Sequence, residues 1–126
     1  MHDCVVCRVP EYKSEYAKGL SKILQVAKQA RARVAILGTT PAHNTATTAD
    51  DVTVVALNKA AAALASENKL PYVDLHTPLT RMCGPVPWAD NGTNACSLCA
   101  PECKRLSVHY DNSGYSVIAN LIKESL

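Results

Sequence analysis

The order of apolar patterns along this chain predicts an α/β fold built on a parallel sheet. Three observations carry that reading. Long segments with helical period alternate with short apolar runs, in the order helix, strand, helix, strand, loop, helix. The short runs are separated by helix-length crossovers, which parallel strands require. The 126 residues are 48% hydrophobic, enough for one domain with a real core.

The first helix is expected from Pro10 and Glu11 to about Ala30, with Tyr16, Leu20, Ile23, Leu24 and Ala27 as its buried stripe. Lys13, Lys18, Lys22, Lys28, Arg31 and Arg33 are scattered among those positions as its wet side. Val34-Ala35-Ile36-Leu37, ended by Gly38, reads as a buried strand. Thr39 to Ala49 reads as a loop. A second helix follows to about Asn68, capped by Thr48, Asp50 or Asp51, with Val52, Val55, Ala56, Leu57, Ala60 and Leu64 facing inward. Pro71 to Leu75 is the second strand, and Leu79 to Met82 a single helical turn. Cys83 to Arg105 has no period and reads as a long loop that needs covalent ties or a function. A short extended piece around Val108 leads to a last helix capped by Ser113, with Tyr115, Ile118, Ala119 and Ile122 inward. Two strands make a poor sheet with two open edges, so further strands are expected before residue 1.

A formal charge of +2 with dispersed basic residues argues against a nucleic-acid partner. No apolar run approaches the roughly 20 residues needed to span a bilayer. Met1 to Cys4 leads into neither a basic nor an apolar export segment. Even so, the six cysteines (Cys4, Cys7, Cys83, Cys96, Cys99 and Cys103) and the glycosylation sequon at Asn91 point to an extracellular, disulfide-bonded protein. An extracellular pattern without an export segment is expected of a fragment of a longer precursor. The rival reading is zinc, because Cys4-x-x-Cys7 and Cys96-x-x-Cys99 have the pair spacing of a four-cysteine site. Against it, two βα units separate the pairs, and Cys83 and Cys103 would be left without a role. No cofactor is expected.

In an open parallel sheet, ligands sit at the carboxyl ends of the strands. Those ends are Gly38-Thr39-Thr40-Pro41 and Asp74-Leu75-His76, and His109, just before the last helix, reaches the same rim. A histidine there can take a proton from a hydroxyl nucleophile. On general grounds a histidine near a helix start is a surface or capping residue, and His76, with no motif around it, is read that way.

The block Ser107-Val108-His109-Tyr110-Asp111-Asn112-Ser113-Gly114-Tyr115 resembles the last block of the SGNH (GDSL-type) hydrolases, where a histidine precedes a short turn and a Gly-Tyr-type helix start. Ala35 to Pro41, Leu57 to Ala60, and Pro71 to Leu75 resemble that family's penultimate strand, next helix and last strand. The resemblance implies a three-layer, flavodoxin-like parallel sheet, present here in part as one domain over 1–126 with a disulfide-rich loop at 83–105. It implies an esterase or acetyl-hydrolase acting on a small-molecule or glycan ester, with His109 as catalytic base. Met1-His2-Asp3 resembles a remnant of the family's Gly-x-Asn-Asp block, with His2 in the place of the oxyanion asparagine.

The departures are as informative. The family's nucleophilic serine in a Gly-Asp-Ser block is absent, and no Gly-x-Ser-x-Gly occurs. Leu106 stands where the family places the aspartate that orients its histidine. Asp111 and Asp74 are the candidate substitutes, at other spacings. The chain alone is therefore expected to be inactive. The alternatives are a non-catalytic binding domain on the same scaffold or a small zinc module.

Overall fold

The computed structural model describes residues 9–42, 49–88, 96–99 and 109–126. The elements are α1 (Val9–Gln29), β1 (Ile36–Leu37), α2 (Ala49–Glu67), β2 (Tyr72–Val73), α3 (His76–Cys83) and α4 (Asn112–Ser125). β1 and β2 pair in parallel, Ile36 opposite Tyr72 and Leu37 opposite Val73, with α2 as the crossover. The ladder continues beyond the strands, from Ile36 N–H to Pro71 C=O and from Gly38 N–H to Val73 C=O, both 2.9 Å. Among the described residues this two-stranded sheet is the whole of the expected parallel sheet.

Helices α1 and α2 end in the same device. Ala32 N–H bonds Ala27 C=O at 2.9 Å and Arg31 N–H bonds Lys28 C=O. Leu70 N–H bonds Ala65 C=O at 2.8 Å and Lys69 N–H bonds Ser66 C=O. This double closure needs a left-handed residue, which Arg31 (φ 55°) and Lys69 (φ 56°) supply without being glycine. Each chain reversal then delivers an extended segment to the sheet, so the two βα units start alike.

Two cores result. The first joins Leu24, Ile36, Ala61 and Ala65, with Tyr16, Leu20 and Tyr72 against it, and holds α1 on α2 and α2 on the sheet. The small side chains of α2 allow that close approach. The second joins Leu79, Trp88, Cys99 and Tyr110, with Val117 and Ile118 of α4 packed on it. The indole N–H of Trp88 donates to Gly84 C=O at 2.8 Å, so its one polar group is satisfied inside.

Several sequence expectations shift at helix faces and ends. Ile23 and Val52 are not buried but 65% and 50% exposed, because α1 packs mainly on α2 and each neighbour covers only a narrow stripe of its helix. Tyr115 is 51% exposed and leans edge-on against Tyr110, and Ala119 is exposed. The expected turn at Leu79 is a two-turn helix that begins at His76, since Asp74 accepts the N–H groups of His76 and Thr77, both at 3.0 Å. Asp111, not Ser113, caps α4: its carboxylate accepts Gly114 N–H at 2.8 Å, and Ser113 adds its hydroxyl at 2.6 Å. A carboxylate accepting at a helix N-terminus also meets the positive end of the dipole.

Cys83 and Cys96 form a disulfide that closes a loop 13 residues apart in sequence. A bridge of that span contributes about 3 kcal/mol by restricting the unfolded chain. Cys99 is disulfide-bonded as well. Cys96 and Cys99 are therefore not thiolates, which removes one of the two pairs on which the zinc alternative rests. Cys4, Cys7, Cys103, His2, Asn91, Leu106 and Val108 lie outside the described residues.

Candidate active site

The carboxyl ends of β1 and β2 and the start of α4 converge on one rim. Gly38 sits there with no room for a side chain, since a Cβ would meet the Tyr72 ring and come 3.3 Å from Val73 O. The next residue, Thr39, is clamped by Asn58 of α2. Its N–H donates to Asn58 Oδ1 at 2.8 Å and its carbonyl accepts from Asn58 Nδ2 at 2.9 Å. Asn58 is a buried side chain, and these two bonds satisfy it as a peptide group would.

Tyr110 brings the His109 segment to the same place. Its side chain comes beside Thr40 beyond the end of β1 and lies within electrostatic range of Asp51. Burial, which outweighs the lowering influence of the Thr40 side chain, pushes its hydroxyl up to about 12, with Tyr115 and Asp51 adding to the rise. The backbone of Tyr110 makes an antiparallel bridge with Cys99, and Asp111 N–H donates to Leu98 C=O at 2.9 Å. Gly114 lies so close under this bridge that a Cβ would strike Leu98 O and Tyr110 Cβ. That contact is the physical use of the glycine in the Gly-Tyr helix start. The disulfide-tied segment thus holds His109 at the rim, with its side chain exposed.

The carboxylates proposed to assist His109 have other partners. Asp111 is the α4 cap; the Ser113 hydroxyl, then the Gly114 N–H, hold its carboxyl below the usual range. Asp74 caps α3. Burial alone would raise its pKa, but hydrogen bonds from Thr77 and His76 outweigh that and keep it low.

An acid–histidine contact does exist on this rim, between residues the sequence left apart. His76 Nε2 lies 3.0 Å from Asp51 Oδ1 and 3.1 Å from Oδ2, with both side chains largely covered. Asp51 Oδ1 also accepts Ala42 N–H at 2.9 Å, which ties the loop after β1 to the first turn of α2. Asp51 was expected only as a possible cap, and His76 as a surface residue. Beside the pair opens a cleft of about 220 Å³, lined by Val55, Asn58, Lys59, Tyr72 and Asp74 among others. Among the described residues, no three metal-ligating side chains come together.

No family model matches this chain, and no curated protein does. Among solved structures, a provisionally assigned acylhydrolase from Bacteroides fragilis superimposes with a TM-score of 0.61 at 22% identity, over 89% of this chain and 50% of that one. The likeness is one of fold. This chain spans about half the length of that protein. The α/β expectation is met at this level: a mixed helical structure on a short parallel sheet, arranged as in part of an acylhydrolase-like protein. Among the described residues, no helix is long and apolar enough to cross a membrane.

Proposed function

We propose that this chain is the histidine-bearing half of an SGNH-type ester hydrolase, with the three-layer sheet of that family completed by polypeptide outside these residues. The observation that carries the reading is the shared fold, in which 89% of this chain corresponds to half of an acylhydrolase-like protein. His109 then has the position its sequence block implies, immediately before the last helix and at the carboxyl rim of the sheet. Uncovered apolar side chains agree with it: Leu37 of β1 is 45% exposed, and α1 leaves Ile23 and Val26 65% exposed. The disulfides support an oxidising, extracellular setting, in which Asn91 would be glycosylated.

In the complete site, a serine from the other half attacks the ester carbonyl carbon while His109 removes its proton. Collapse of the tetrahedral adduct releases the alcohol, which takes that proton from His109. Water then repeats the sequence on the acyl-enzyme and returns the serine. Backbone N–H groups of the other half, with His2, would hold the oxyanion. The substrate class is a small-molecule or glycan ester.

A second reading, a binding domain without catalysis, is favoured by Leu106 and by the capping duty of Asp111. One experiment separates the two. The 126-residue chain is assayed on p-nitrophenyl acetate alone, and again when joined behind the first half of the Bacteroides fragilis protein. The hydrolase reading expects turnover only in the joined protein, and a loss of roughly 100-fold or more on His109→Ala. A folded joined protein whose turnover ignores His109→Ala leaves the binding-domain reading standing.

A further inference from the structure

We infer that the His76–Asp51 pair marks a second binding site, and that the cleft beside it takes a small neutral molecule bearing a hydroxyl group that donates to His76. An ionised carboxylate can only accept, so the proton between Asp51 and His76 belongs to Nε2 of the imidazole. In the tautomer with its proton on Nε2, the other nitrogen, Nδ1, carries the lone pair and is the ring's acceptor. Among the described residues nothing donates to it. Asp51 thus sets the tautomer as well as the ring's orientation.

The residue is held at its backbone and at its ring. Asp74 takes the backbone N–H of His76 at 3.0 Å, and Asp51 takes the side chain while its own Oδ1 is anchored by Ala42 N–H at 2.9 Å. His76 lines the cleft, and so do the hydrocarbon faces of Val55 and Ala62. The lining carries Lys59 and Asp74, one charge of each sign, and the Asp51 carboxylate stands behind the ring, so an anion gains nothing there. A neutral ligand whose O–H donates to Nδ1 and whose carbons rest on Val55 and Ala62 fits that chemistry. At about 220 Å³ the cleft suits a molecule the size of glycerol or one sugar ring. The site is independent of the hydrolase reading, because it uses neither His109 nor a serine.

The test uses long-range proton–nitrogen correlation spectra of the imidazole-labelled full chain at neutral pH. The probes are glycerol, methyl α-glucoside and, as a charged control, acetate. The expected result is a proton on Nε2 of His76, a saturable shift of Nδ1 with the two polyols, and a weaker response to acetate. Asp51→Asn should reverse the tautomer, because the amide N–H donates to Nε2, and weaken polyol binding about tenfold. His76→Phe should abolish the binding, while His109→Ala leaves it unchanged. A wild-type His76 with its proton on Nδ1 overturns the proposal. So does polyol binding that survives His76→Phe, or acetate binding tighter than the polyols. If Asp51→Asn unfolds the chain, the wild-type tautomer and the His76→Phe titration decide by themselves.

Discussion

His109 and His76 stand at the same end of one sheet, yet their surroundings are built in opposite ways. His109 belongs to a recognisable sequence block and is held by the backbone: the Cys99–Tyr110 bridge, the Leu98 bond and the Asp111 cap all act on its neighbours. Its nearby carboxylate is directed into a helix end. His76 belongs to no block, but its ring meets a carboxylate 25 residues away in sequence. A motif therefore marks descent, whereas the carboxylate that meets a ring is delivered by packing between remote segments.

The largest effect that would test this separation is expected from Trp88→Ala. It removes a buried indole that meets Tyr110 edge-on at 6.2 Å, and such a deletion costs about 3–5 kcal/mol. Urea denaturation measures the loss. Resonances of His109 should move much more than those of His76, whose ring is held by α2. Equal movement would show that the two surroundings are one.

A smaller effect separates them by alkaline pH. Tyr110, raised to about 12 by burial, binds its proton more tightly folded than unfolded. Stability is then fully present below about pH 10 and lost as pH rises through 12. Tyr110→Phe should flatten this limb in pH-dependent thermal melts and leave the Asp51–His76 contact intact. A limb that persists in Tyr110→Phe must come from another group.

The smallest effect lies in acid. Asp111 and Asp74 both hold their carboxyls below the usual range, so their contribution is present above about pH 4 and lost as pH falls through the lowered values. Asp111→Asn keeps an accepting oxygen for Gly114 but removes the charge. It should weaken the acid limb only in part, because Asp74 remains. Complete loss of the limb would mean that the α3 cap contributes nothing.

Much of the fold was legible because it is local. Leu20, Leu24 and Ala27 on α1, and the alanines of α2, repeat at helical period whatever lies against them. Val34 to Leu37 and Pro71 to Leu75 are short and apolar, as strands between such helices are, and each contains a two-residue strand. Gly114 was legible as part of a block, although its reason, the Leu98 carbonyl beneath it, was not. Ile23, Val52 and Tyr115 were misplaced because a period says which residues share a face, and not how much of that face the neighbouring elements cover. Ser113 and Asp111 both carry side chains that cap helices; only the path of the turn decided between them.

The sequence by itself determined the order of helices and strands, the parallel pairing and the block around His109, since each rests on propensity, period or spacing within one segment. Tertiary structure alone decided that Asp51 leaves the end of its own helix for His76, that Cys83 takes Cys96, and that Asp111 is engaged in a cap. Each of those is a choice among several chemically equivalent partners. Such a choice is made by distance, and distance between remote segments exists only once the chain has folded.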